Sequence, residues 1–167
     1  MENLYFAKSL ENAVIPSKKD EDAGYDVYCV FDEDYLKIDP HETKILHTGI
    51  HSAFASDYVI ELWERGSTGT KGIAQRCGVI DSGYRGEWAV PITNTTDLPI
   101  FIVKKEFLEE HKNSPMFLGC IIYPYEKAIC QAIVSTVPKM DVKELLLSEL
   151  LEITSERGAG RFGSTGK

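Results

Sequence analysis

Apolar residues in this chain come in short bursts separated by turn-forming residues. Between Tyr25 and Val137 the bursts are Val27 to Phe31, Tyr58 to Trp63, Trp88 to Thr93, Ile100 to Val103, Gly119 to Tyr123 and Ala128 to Val134. Each is rich in Val, Ile, Tyr and Phe, residue types that suit a pleated, half-buried surface, so the pattern predicts many short strands. Alternation is plainest in Val59-Ile60-Glu61-Leu62-Trp63-Glu64, where successive side chains point to opposite faces. The fold class predicted is all-β, a sandwich or barrel without internal repeats.

Two segments break this rhythm. Lys104 to Lys112 (KKEFLEEHK) suits a short helix or a surface loop between strands, ending before Asn113-Ser114-Pro115. Asp141-Val142-Lys143-Glu144 reads as a capping box ahead of Leu145, Leu146, Leu150 and Leu151, which predicts a helix over about 142–152 with an apolar stripe that needs a cover. After Thr154 the texture changes, with four glycines in the last ten residues. Fixing so many glycines is costly in backbone entropy. The tail over 155–167 is therefore either frayed or an arm that orders over a ligand, and its arginines, phenylalanine and hydroxyls suit a phosphorylated base. The organisation predicted is one domain over 1–154, with an inserted segment at about 104–115, followed by that arm.

Length and charge narrow the partners. With 167 residues the chain has room for one substantial core. Eighteen Lys and Arg against 26 Asp and Glu give a net charge of −8 and a pI near 5.0, which opposes binding to nucleic acid or an anionic bilayer. No apolar run approaches the roughly 20 residues of a membrane span. A small phosphorylated ligand stays open, because local arginines and a divalent cation can outweigh the global field. Cys29, Cys77, Cys120 and Cys130 lack C-x-x-C spacing, fitting reduced thiols in a cytoplasmic protein rather than disulfides or zinc. Glu2 to Phe6 resembles part of an engineered protease tag and enters no functional reading.

Three stretches carry candidate chemistry. Arg65-Gly66-Ser67-Thr68-Gly69-Thr70-Lys71-Gly72 is either a structural turn or an anion-binding nest with a fixed cation beside it. It is not a P-loop. In Gly78-Val79-Ile80-Asp81-Ser82-Gly83-Tyr84-Arg85-Gly86-Glu87, Asp81 either caps the Ser82-Gly83 turn or takes a proton from water beside a phosphate, with Tyr84 placed to lie against a sugar. Asp26 opens a strand. His41, His47, His51 and His111 have no metal-binding spacing and read as surface or structural, while Trp63 and Trp88 read as core or interface.

In their order these stretches resemble the five motifs of the trimeric dUTP diphosphatase (dUTPase) family: Ala23 to Asp26, Arg65 to Gly72, Gly78 to Glu87, Lys127 to Val134, and Arg157 to Gly166. The resemblance implies a jelly-roll-like β-barrel of the β-clip type, a homotrimer with shared sites, and Mg²⁺-dependent hydrolysis of dUTP to dUMP and pyrophosphate. Carried over by position, Asp81 would activate water and Tyr84 would pack on deoxyribose. The backbone of Cys77, Gly78, Val79 and Ile80 would read uracil, and Arg65, Gly66, Ser67 and Gln131 would hold phosphates. Asp26 would reach Mg²⁺ through water. Arg157 would pair with the γ-phosphate, Phe162 would stack on uracil, and Gly163, Ser164 and Thr165 would supply hydrogen bonds. The chain departs from the family pattern at Glu64-Arg65-Gly66, where Pro-Arg-Ser is usual, at Ala128, where Arg is common, and at Arg161, where Gly is usual. The alternatives are a dCTP deaminase of the same superfamily and a nucleotide sensor without turnover.

An arm that orders only over substrate contributes little to folding. Deleting residues 157–167 should abolish pyrophosphate release from dUTP while leaving the thermal transition nearly unchanged; a large fall in Tm would show a structural tail.

Overall fold

A computed structural model of the protein describes residues 3–156 and 158. The described residues form two units, one ending at Val137 and one beginning at Pro138. In chain order the first contains β1 (Tyr5–Lys8), β2 (Tyr25–Val27), β3 (Tyr35–Ile38), β4 (Thr43–His47), β5 (Ile50–Ala53), β6 (Tyr58–Trp63), α1 (Gly66–Gly69), β7 (Ile73–Gln75), β8 (Val79–Ile80), β9 (Ala89–Asn94), β10 (Ile100–Val103), α2 (Lys105–His111), β11 (Ile121–Pro124) and β12 (Cys130–Thr136). The strands make four small sheets, ordered β1-β5, β11-β10-β3, β2-β12-β6-β8 and β4-β9-β7. This is the all-β architecture that the short apolar bursts predict, and it fits the jelly-roll-like fold that the family resemblance implies.

One core serves all four sheets. Val27, Ile38, Leu46, Ile50, Ile60, Ile73, Trp88, Ile92, Ile100 and Ile102 are all buried within it. Trp88 has no solvent exposure, and its ring nitrogen donates to Ser52 Oγ at 3.1 Å, so burying the indole strands no donor. Trp63, by contrast, remains 54% exposed at the end of β6.

The residues from 104 to 120 have a topological task. β10 and β11 are parallel neighbours, with Ile100 level with Ile121, and parallel strands cannot be joined by a tight hairpin. The chain crosses over through α2 and a 3₁₀ turn at Pro115–Phe117, where Ser114 Oγ accepts the Met116 amide. Phe117 packs edge-on against Phe101, and Tyr35 contacts both Phe101 and Phe107, with centroids 5.5 Å apart in each pair. The segment is thus anchored to the β11-β10-β3 sheet by aromatic packing.

Two expectations need correction. The strand expected over 27–31 is only Tyr25–Val27, although Cys29 and Val30 beyond it are buried. The helix expected over 142–152 is reduced to α3, Leu147–Leu151. Asp141 does not cap it: its carboxylate pairs with Lys143 at 3.3 Å, and Glu149 accepts the Leu146 amide at 2.8 Å instead. The capping role has moved five residues along the chain, and Leu146, Leu147, Leu150 and Leu151 are exposed. Within the tag-like stretch, Tyr5 and Phe6 take part in the fold, as the single-domain reading expects. β1 pairs with β5, and Phe6 meets Trp88 edge-on at 5.5 Å.

Removing a partly buried aromatic that packs on the core should cost about 1–3 kcal/mol. Phe6→Ala should lower the urea midpoint accordingly, and an unchanged midpoint would mean that β1 is dispensable.

Candidate active site

The β2-β12-β6-β8 sheet carries or leads into the polar residues singled out in the first three motifs and in the fourth. Gln131 on β12 stands level with Asp26 on β2 and with Trp63 on β6, and Arg65 follows two residues after Trp63. On the other side β8 runs antiparallel to β6, with Ile60 level with Ile80. Asp81 therefore leaves the sheet level with Val59, whereas Arg65 leaves at the opposite end. At about 3.3 Å per residue the two are separated by roughly 20 Å along the strand direction.

At the Arg65 end, Asp26, Tyr28, Arg65, Ser67, Glu126, Lys127 and Ala128 line a cleft of about 330 Å³. The Arg65 backbone is fixed by Thr68, whose buried hydroxyl donates to the Arg65 carbonyl at 2.9 Å and accepts its amide at 3.1 Å. The guanidinium meets Asp26 along one side, Nε to Oδ1 at 3.0 Å and Nη2 to Oδ2 at 3.4 Å, while Nη1 donates to the Ala128 carbonyl at 3.3 Å. Such a fork holds a planar cation in one orientation. Gln131 has a structural tie as well: its Nε2 donates to the Glu64 carbonyl at 2.9 Å and joins β12 to the end of β6. Gly66 opens the single turn of α1. Ser67 Oγ lies 3.4 Å from the Tyr123 hydroxyl, which itself donates to the Ala128 carbonyl. Lys127, beside the position where the family has arginine, lines the same cleft.

A second cleft, of about 500 Å³, runs along β8 to Asp81 at the other end and is lined by Leu62, Cys77, Gly78, Val79, Ile80, Asp81, Tyr84, Glu87 and Ala89. The backbone of residues 77–80 is pinned from below by the Leu62 amide, which donates to the Gly78 carbonyl at 2.7 Å. Asp81 is exposed, and its carbonyl accepts the Tyr84 amide at 3.0 Å in the turn that the Ser82-Gly83 pair makes. The Tyr84 ring folds across Gly86, where a side chain would collide with the Tyr84 hydroxyl. That hydroxyl donates to the Glu87 carbonyl at 3.1 Å.

The two clefts share no lining residue. The structure thus joins Asp26, Arg65, Ser67 and Gln131 into one group, and Cys77 to Ile80, Asp81 and Tyr84 into another. Arg157, Phe162, Gly163, Ser164 and Thr165 lie outside the described residues. Among the described residues no three His, Cys, Asp or Glu side chains gather into a metal cluster, and no helix is long and apolar enough to cross a membrane. Burial pushes the Cys29 and Cys130 thiols up to about 12, which makes them unreactive at neutral pH. Sequence reasoning missed Thr68, Tyr123 and Glu87 as site supports. Glu87 lies within a motif already singled out; Tyr123 carries no signal beyond its aromatic type.

The dUTPase family model matches residues 11–107, more than half of the chain. This chain belongs to the dUTPase family. It is 31% identical to the deoxyuridine 5'-triphosphate nucleotidohydrolase of Nautilia profundicola over 98% of its own length and 99% of that relative's. Its fold is similar to that of the Staphylococcus bacteriophage 80alpha dUTPase with dUPNHPP, with a TM-score of 0.73, 22% identity and 99% of both chains covered. A mutant of the dUTPase from phage phi11 of S. aureus, whose structure concerns the coordination of a structural Mg(II) ion, has a TM-score of 0.67 and 19% identity, covering 86% of this chain and 96% of that one. On the sheet of this dUTPase-family member, Arg65 and Asp81 leave at opposite ends, whereas Cys77 and Gly78 stand beside Leu62 and Trp63, toward the Arg65 end.

Glu87 also gives the site a pH signature. Partial burial pushes its carboxyl upward, but the Gly49 amide, the His47 ring and the Thr48 amide together more than offset this, leaving it below the ordinary glutamate value. A carboxyl lowered in the folded state adds stability above its unfolded pKa and loses it as pH falls through the folded value. The Tm difference between the unmodified chain and Glu87→Gln should be largest near neutral pH and close as acid titrates the carboxyl. A gap that widens in acid would contradict this.

Proposed function

We infer that the chain hydrolyses dUTP to dUMP and pyrophosphate. The observation that carries this reading is the cleft in which Asp81 stands beside Tyr84 and the 77–80 backbone, in a chain of the dUTPase family. Uracil is small and presents a polar edge, and strand-end amides and carbonyls complement such an edge without side chains. The Tyr84 ring lies flat under the sugar, where a 2′-hydroxyl would clash. Asp81 takes a proton from a water held beside the α-phosphorus. The water oxygen bonds to that phosphorus as the bridge to the β-phosphate breaks, and pyrophosphate leaves with the electron pair. Position matters more than basicity for an exposed carboxylate.

The phosphate end is supplied by Arg65, Ser67, Gln131 and Lys127. Asp26 and Glu126 put hard oxygen donors into that cleft, which fits Mg²⁺. Both Asp26 oxygens already face Arg65, so Asp26 reaches the ion through water while the triphosphate provides most of its ligands. When bound, the ion neutralises phosphate charge. The arm over 155–167 brings Arg157 to the γ-phosphate and Phe162 to the base, with Gly163, Ser164 and Thr165 as donors, and excludes water. Because Arg65 and Asp81 leave one sheet at opposite ends, a complete site takes its water-activating half and its phosphate half from different copies of the chain, in a homotrimer. The four unpaired cysteines support a reducing, cytoplasmic setting, where the reaction limits uracil in DNA and supplies dUMP for dTTP synthesis.

The test is pyrophosphate release from dUTP, dCTP, dTTP and UTP, each with and without Mg²⁺. Only dUTP should turn over well, and Asp81→Ala should lose about 10²- to 10⁴-fold in kcat while still binding a non-hydrolysable dUTP analogue. Ammonia released from dCTP would establish the deaminase instead, and near-normal turnover of Asp81→Ala would remove Asp81 from the mechanism.

A further inference from the structure

The loop from Asp81 to Gly86 contains no buried residue, so side-chain packing does not hold it in place. Its far end is held by polar contacts from Glu87. Oε1 accepts the backbone amides of Thr48 at 3.0 Å and Gly49 at 2.7 Å, and Oε2 lies 3.0 Å from Nδ1 of His47. These three residues form the end of β4 and the tight turn into β5. Gly49 adopts a φ of +65°, and a Cβ there would stand 2.8 Å from that of Ala13, so the turn that presents this pair of amides depends on glycine. The next residue, Trp88, donates its amide to the Ile50 carbonyl at 2.8 Å and is fully buried. From this fixed point the Glu87 carbonyl receives the Tyr84 hydroxyl, and the Tyr84 amide reaches back to Asp81. Arg85 adds two tethers, a part-buried one from Nη1 to the Ser52 carbonyl at 3.3 Å and an exposed one between its own carbonyl and the His51 ring at 2.9 Å. Glu87 sets a charge against two amides at once, at 2.7 and 3.0 Å, and Arg85 sets one against the Ser52 carbonyl at a longer 3.3 Å.

We propose that Glu87 is a positioning residue for the reaction: its carboxylate locks the loop to the Thr48–Gly49 turn, and so fixes Tyr84 under the sugar and Asp81 beside the water. The proposal rests on the dUTP reading above. Its distinctive consequence is in sugar discrimination. A Tyr84 ring released from its anchor no longer opposes a 2′-hydroxyl, so the preference for dUTP over UTP should fall. A residue that served stability alone would lower the active fraction for both nucleotides and leave their ratio unchanged.

The experiment compares the unmodified chain, Glu87→Ala and Glu87→Gln in the same Mg²⁺ buffer. In Glu87→Ala, kcat/KM for dUTP should fall by about tenfold to a hundredfold, the scale of a misplaced reacting group. The dUTP:UTP ratio should drop with it, and amide hydrogen exchange over residues 81–86 should quicken. Glu87→Gln, which keeps a carbonyl acceptor for the two amides, should restore most of all three. A Glu87→Ala chain that unfolds cooperatively yet keeps the original ratio and exchange would overturn the proposal. Should that variant not fold, Glu87→Asp, one methylene short of the amides, is judged by the same readouts. If the unmodified chain releases no pyrophosphate from dUTP, the dUTP reading fails, while the exchange comparison still decides whether Glu87 holds the loop.

Discussion

The antiparallel register between β6 and β8 is the constraint from which the site follows. With Ile60 level with Ile80, the chain after β6 and the chain after β8 must depart in opposite directions, whatever side chains follow. Arg65 and Asp81 are carried apart by the same backbone pairing that holds the sheet together. No rotamer change reunites them, because side-chain reach is short beside about six residues of extended strand. Within each end the polar groups are tightly organised. Arg65 is gripped by Asp26, Ala128 and Thr68, and the Asp81 loop is moored to the β4–β5 turn.

Much of this is legible in the sequence where chemistry and periodicity coincide. Tyr58–Trp63 and Ile100–Val103 are strands with the bounds that their β-branched and aromatic runs predict. Arg65 and Ser67 of the second motif, and Asp81, Tyr84 and Glu87 of the third, line clefts. Boundaries fail where a partner outside the pattern decides the outcome. Cys29 and Val30 carry strand propensity and are buried, but the strand stops at Val27. Asp141 has the sequence of a cap, yet a neighbouring lysine takes its carboxylate. Tyr5–Lys8 escapes a linear reading because a tag-like stretch offers no local hint that Phe6 will meet a tryptophan more than eighty positions away.

The segment at 104–120 shows how topology gives meaning to residues that motifs leave unexplained. Read linearly it interrupts the β pattern. In the fold it is the crossover that lets β11 lie parallel to β10, and its phenylalanines are the means by which so long a connection stays on the sheet. The usual proline before Arg65 is replaced by Glu64, which accepts the Gln75 amide at 3.1 Å and joins the end of β6 to β7. A family position that changes identity has here acquired a different structural partner.

The division of the chemistry between the two ends of one sheet has a hereditary consequence. If, as proposed, each working centre draws on more than one polypeptide, a cell carrying two alleles would blend them in every assembly. A defective aspartate would then silence a centre completed by a sound neighbour's arginine, while an allele damaged only at the arginine could still lend its aspartate. Two chains with lesions at opposite ends would therefore complement one another, whereas two lesions at the same end would not.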